Sequence, residues 1–224
     1  MSNLEFWIVL LSNLILLAAV GYGVRRFFLK RSALYFRILT LAVSCYALIS
    51  VFRLLYFLCY DGLFDGMGVT FFGYFGCFLF LLSANYGQYD SLIDDGSRMF
   101  RKYRLAALAA PVVMLALLAG YLFGNVGKIS GMANVLIGIG YLPVIPAAYF
   151  HMKHFMIPDM GFTFVRWIRI VNVCALLAEL MELARAYLYA AGNALAAAVL
   201  TLLISASFLM MLVFAGKGRK SWLA

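Results

Sequence analysis

The sequence predicts an all-α integral membrane protein of seven spans, one domain over residues 1–224, with its N-terminus outside and its C-terminus in the cytoplasm. Three observations predict it. The first is composition: 66% of residues are apolar and 12% charged, whereas soluble domains carry about 25% charged residues. The second is the length of the apolar runs, which reach the roughly 20 residues that a helix needs to cross a bilayer core. The third is where the cations fall. The net charge of +9 is not gathered into one stripe of the kind that binds nucleic acid, but is divided among the gaps between apolar runs.

Apolar runs place the spans at about 5–24, 36–59, 67–89, 105–124, 132–150, 167–190 and 194–215. Span 1 has no cation before it and one acid, Glu5, so it reads as an anchor rather than a cleaved signal. Its end is followed by Arg25, Arg26, Lys30, Arg31 and Arg37. Span 2 carries Arg53. Span 3 opens with Gly68, Gly73 and Gly76 among aromatics, small residues that let helices approach closely. Arg98, Arg101, Lys102 and Arg104 precede span 4. Span 5 holds Pro143 and Pro146, which should bend it. Lys153, Arg166 and Arg169 separate it from span 6, and Lys217, Arg219 and Lys220 follow span 7. Fifteen of the eighteen cations thus lie in alternate connections and the C-terminal tail, while the opposite connections hold Lys128, Asp61 and Asp65. Positive residues resist translocation, which sets the orientation and independently requires an odd number of spans. The expected location is the plasma membrane.

Charges inside spans are costly, about 2.5–3.5 kcal/mol or more at a helix centre. There are four: Arg53 in span 2, and Glu179, Glu182 and Arg185 in span 6. From the helical rise, Arg53 lies about 9 Å below the outer end of span 2, and Arg185, Glu182 and Glu179 about 8, 12 and 16 Å below that of span 6. All four share the outer half of the membrane. Residues three apart on a helix are neighbours, so Glu182 pairs with Arg185 and Glu179 is left for Arg53. Spans 2 and 6 should therefore meet. Two readings stay open: a structural latch, and a polar pocket open to the outside that binds a small molecule or coupling ion. Ser12, Asn13, Tyr46, Ser50, Thr201 and Ser205 could line the same cavity or simply bond between helices.

On the cytoplasmic side, Asp94, Asp95, Arg98, Arg101, Lys102 and Arg104 form either a head-group anchor or a docking surface for a partner protein, with Asn85 and Gln88 beside it. His151 and His154 fall in the next cytoplasmic connection with Asp159 near them. Two histidines at a membrane edge are too few for a catalytic zinc, so no metal or other cofactor is expected. Cys45, Cys59, Cys77 and Cys174 lack any CxxC spacing and read as small apolar residues, with Cys59 near an outer surface.

Enzyme chemistry is not expected: there is no HExxH, no GxSxG and no intramembrane aspartate pair. A retinal protein needs a lysine in its last span, and 194–215 has none. The layout resembles, in topology alone, the seven-span sensor modules of bacterial signalling proteins and more distantly seven-helix receptors. The expected function is a receptor-like or sensory protein that signals through a partner. The alternatives are a small-solute or ion-coupled transporter and an accessory subunit of a membrane complex.

Overall fold

A computed structural model describes residues 3–30, 32–60, 68–86, 88–125, 127, 128, 130–158 and 163–222. Arg31, Asp61, Asp65 and Asp159 lie outside the described residues. The chain is all-helical. Five helical stretches are long and apolar enough to cross a membrane: Asn3–Phe28, Leu34–Cys59, Arg98–Gly124, Gly131–Met156 and Ala194–Arg219. As a multi-pass membrane protein requires, many large apolar side chains face outward. On the first helix Leu4, Trp7, Leu11 and Leu14 form such a stripe at helical spacing.

The elements are α1 (Asn3–Gly23), continued by a π-helical turn at Val24–Phe28, α2 (Leu34–Tyr60), α3 (Gly68–Asn85), a short α4 (Gln88–Ile93), α5 (Arg101–Ala107), α6 (Ala109–Gly124), α7 (Gly131–Tyr141), α8 (Val144–Met156), α9 (Thr163–Ala190) and α10 (Ala194–Trp222). The pairs α5–α6 and α7–α8 each run nearly end to end, so the described residues form seven rods. Of the two rods beyond the five apolar ones, α3 has a shorter described apolar stretch, Thr70–Asn85. The other, α9, is long but carries Arg166, Arg169, Glu179, Glu182 and Arg185.

The proline signal is answered where it was expected. The rod from Gly131 to Met156 breaks at Leu142 and Pro143, because Pro143 has no N–H to continue the ladder and Pro146 follows in the first turn of α8. The glycine signal is answered too. A Cβ at Gly73 would stand 2.2 Å from Ile49 Cγ1 and one at Gly76 would stand 3.2 Å from Cys45 Sγ, so α3 lies directly against α2. Cys77 and Cys174 are buried, Cys45 is half-buried and Cys59 is exposed.

Two span ends differ from the hydropathy reading. The third span was expected to run to 89, yet α3 stops at Asn85, which turns fully inward. Asn85 is therefore not part of the basic surface. The fifth was expected to stop at 150, yet α8 runs on to Met156 and buries His151, Lys153 and His154. The two ends meet each other: His154 of α8 lies 3.0 Å from the Asn85 side-chain oxygen, and Asp90 and Asp94 reach His154 and Lys153, so polar groups that a hydropathy window counts as loop are satisfied inside the bundle.

The basic connections share one end of the bundle. Arg219 donates to the carbonyl oxygens of Arg26 at 3.4 Å and Lys30 at 3.3 Å. Arg169 Nε donates to the Phe155 carbonyl at 3.0 Å. Trp167 stacks on Phe214 at 5.9 Å between ring centres, with Lys217 Nζ 5.2 Å above the indole. This will be called the basic end.

Candidate functional site

At the opposite end a small pocket opens among α1, α2, α3, α9 and α10, with a cavity volume of about 90 Å³. Its walls are largely apolar, from Val9, Ile49, Leu54, Phe57, Ala197 and Ala198, and its polar groups are few and convergent: Arg53, Arg185, Tyr46, Tyr74, Tyr189, Ser50 and Thr201, with Glu5 on α1. That mixture is the usual make-up of a small-molecule site.

The floor is built from α9. Glu182 is buried and receives hydrogen bonds from three helices. Tyr46 on α2 donates to Oε2 at 2.7 Å and Tyr141 on α7 donates to Oε1 at 2.7 Å. Arg185, one turn on, donates through Nε to Oε2 at 2.9 Å and through Nη2 to Oε1. The carboxylate is thus held two-fold by a guanidinium fork, the strongest arrangement such a pair can take. Arg185 also donates through Nη2 to the Tyr74 oxygen at 2.7 Å, and Arg53 Nη1 approaches the same oxygen at 3.3 Å. Two guanidinium groups therefore converge on one phenol at the pocket floor. Tyr74 stacks on Tyr141 at 5.2 Å, which fixes both rings.

Arg53 is the less satisfied of the two. It is half-buried, and its partners among the described residues are neutral: the Tyr74 hydroxyl and the face of Tyr189, 5.6 Å from the ring centre. No carboxylate pairs with it among the described residues. The pairing of Arg53 with Glu179 expected from the sequence is therefore corrected. Glu179 lies deeper, facing His151, whose Nδ1 is 3.1 Å from its carboxylate. Spans 2 and 6 do meet, but through Tyr46, Tyr74 and Tyr189 rather than through an ion pair.

Of the other residues named from the sequence, Tyr46, Ser50 and Thr201 line the pocket. Asn13 and Ser205 do not line it. Asn13 donates through Nδ2 to the Val9 carbonyl at 2.9 Å, Ser205 to that of Thr201 at 2.7 Å and Ser12 to that of Ile8, so each donates within its own helix.

The basic end holds a second buried polar cluster. Asp94, expected on a partner surface, is buried; it accepts from Arg104 Nη1 at 2.9 Å and faces Lys153 Nζ at 3.5 Å. Lys153 also contacts Asp90. His154 Nε2 lies 2.9 Å from Asp90, and its Nδ1 lies 3.0 Å from the Asn85 side-chain oxygen. Burial pushes the Asp90 carboxyl up, but hydrogen bonds from His154 and Lys153 pull harder and hold it below the ordinary aspartate value. The expected surface is accordingly divided. Asp94 and Arg104 are used internally, while Asp95, Arg98, Arg101 and Lys102 are exposed.

Sequence reasoning missed His151, His154 and Lys153 as interior residues. One signal was present: His151 and His154 repeat at the three-residue helical spacing that Glu179 and Glu182 also show. No family model, curated protein or solved structure matches this chain.

Proposed function

We propose that this chain is a seven-span protein of the plasma membrane, N-terminus outside and C-terminus in the cytoplasm, that binds a small organic anion in the outer pocket. As a receptor-like module it would report occupancy through a protein partner docked on Asp95, Arg98, Arg101 and Lys102. The observation that carries the reading is Arg53: a guanidinium at the pocket floor whose described partners are all neutral, so its charge is available to a ligand. An apolar wall on one side and the Arg53 guanidinium on the other suit a small carboxylate with an apolar body.

The test is a thermal-unfolding screen of the purified chain in detergent against aliphatic and aromatic monocarboxylates. A binder at a hundred times its Kd stabilises by about 2.7 kcal/mol. Wild type should be stabilised by at least one compound and Arg53→Ala by none of them. Stabilisation that survives Arg53→Ala, or none with any carboxylate, argues against the site. The orientation has its own check, since Cys59 is exposed at the pocket end while Cys77 and Cys174 are buried. A membrane-impermeant maleimide should label intact cells, and Cys59→Ser should remove the label.

A second reading, an ion-coupled carrier, is favoured by a separate observation. Titratable side chains continue from the pocket floor through Glu179 and His151 to His154 and Asp90 at the basic end, and transporters place such groups near the midplane. Uptake of the stabilising anion into proteoliposomes, abolished by Glu179→Gln, would select the carrier over the sensor.

A further inference from the structure

We propose that the His151–Glu179 pair is a buried proton-binding site. Both side chains are fully enclosed between α8 and α9. Nδ1 of His151 lies 3.1 Å from the Glu179 carboxylate; an ionised carboxylate can only accept, so the proton of that contact is assigned to Nδ1. The other ring nitrogen, Nε2, is buried and has no hydrogen-bond partner among the described residues. With Nε2 bare, the pair carries one net negative charge. When a proton from water adds there, the ring becomes an imidazolium opposite a carboxylate and the pair becomes neutral. No bond other than that to the proton changes, and the water or buffer that gave it up keeps the negative charge. An uncompensated charge is far more costly in an apolar bundle than a hydrogen-bonded ion pair, so the site draws a proton in.

The charged and titratable groups around the pair are held by other partners. Asp90 is partly exposed and its carboxylate is 2.9 Å from His154 Nε2. His154 lies one turn below His151 on α8, a rise of about 4.5 Å. Above the pair, Glu182 is one turn from Glu179 but is already neutralised by Arg185, Tyr46 and Tyr141. From α3 the facing titratable group is Cys77, with Cys45 on α2 behind it. On α8 itself Lys153 is paired with Asp90, and Asp94 between α4 and α5 is paired with Arg104. The segment of α10 from Ala194 to Gly216 has no titratable side chain, and α6 has only Tyr121, which packs on Tyr187. No other described group at this depth can supply the missing charge. The inference does not depend on whether the outer pocket binds an organic anion.

Nitrogen NMR of the full chain, labelled with 15N-histidine in nanodiscs and stepped through pH, tests it directly. The chain has two histidines, and His154→Gln assigns the spectrum. His151 Nε2 should pass between bare and protonated while Nδ1 keeps its proton. Glu179→Gln should weaken proton binding at Nε2 at least tenfold, and Glu179→Asp, which restores the charge, should bring most of it back. A His151 ring that stays in one protonation state wherever the chain keeps its helical circular dichroism would overturn the proposal, as would a titration unmoved in Glu179→Gln. If Glu179→Gln does not fold, the wild-type titration and Glu179→Asp decide.

Discussion

Glu182→Gln is expected to lower the stability of the chain in detergent by about 3–5 kcal/mol, the usual cost of breaking a buried ion pair by removing one partner. The glutamine keeps the size of the side chain and one acceptor oxygen. It cannot keep the charge that neutralises Arg185, which is buried and donates two of its hydrogen bonds to that carboxylate. Tyr46 and Tyr141 also lose a charged acceptor for a weaker one. Thermal or chemical unfolding followed by circular dichroism measures the effect. The double variant Glu182→Gln with Arg185→Met should be more stable than the single one, because it removes the orphaned cation. Additive losses would mean the two residues do not act as a pair. Arg53→Ala should change stability by about 1 kcal/mol or less, since a half-exposed group with neutral partners leaves no buried charge behind.

That contrast separates a latch from a site within one cluster. Glu182 and Arg185 tie α9 to α2, α3 and α7 through tyrosines, which suits a fixed floor. Arg53 contributes little to that floor and faces the open space above it. On the proposed reading, the latch and the pocket would be two layers of the same constellation.

How far this was legible in the sequence depends on what sets each feature. Hydropathy finds the apolar runs, and the cations between them find the alternation of ends, because each is a property of one segment. The depth argument correctly brings Arg53, Glu182 and Arg185 to one level, since helical rise converts sequence position to height. It assigns Glu179 to the wrong partner because the true one, His151, sits in a stretch, HMKH, that a hydropathy window scores as loop. Within that stretch, Lys153 and His154 are buried against Asn85 at the end of α3, Asp90 on α4 and Asp94 just after it. Pairing across about sixty residues leaves no local trace. The same blindness made Asp94 look like surface, when it is buried and closes an ion pair with the half-buried Arg104. Asn13 and Ser205 failed for a smaller reason: a polar side chain in a helix can bond back to the carbonyl four residues before it, and sequence alone does not say which it will do.

Lys153→Met is expected to cost about 3 kcal/mol or more, although the sequence reads Lys153 as one more solvated cation of a cytoplasmic loop. It is 3% exposed. Among the described residues, Asp94 would then retain only Arg104 as a charged partner, and Asp90 only His154. Leaving a carboxylate poorly paired away from water is the expensive event, so Asp90→Asn in the same chain should recover part of the loss. The pH dependence carries the same signature with a definite sign. Because Asp90 is held below the ordinary aspartate value, the folded chain binds protons at this carboxyl less readily than the unfolded one. Its contribution is therefore complete above the unfolded value of about 4 and is lost as pH falls through the depressed folded value. Unfolding curves collected downward from neutral pH should show this acid-side loss in wild type and a smaller one in Asp90→Asn. If Lys153→Met unfolds like wild type and the acid limb is unchanged in Asp90→Asn, the cluster does not hold α8 to the basic end.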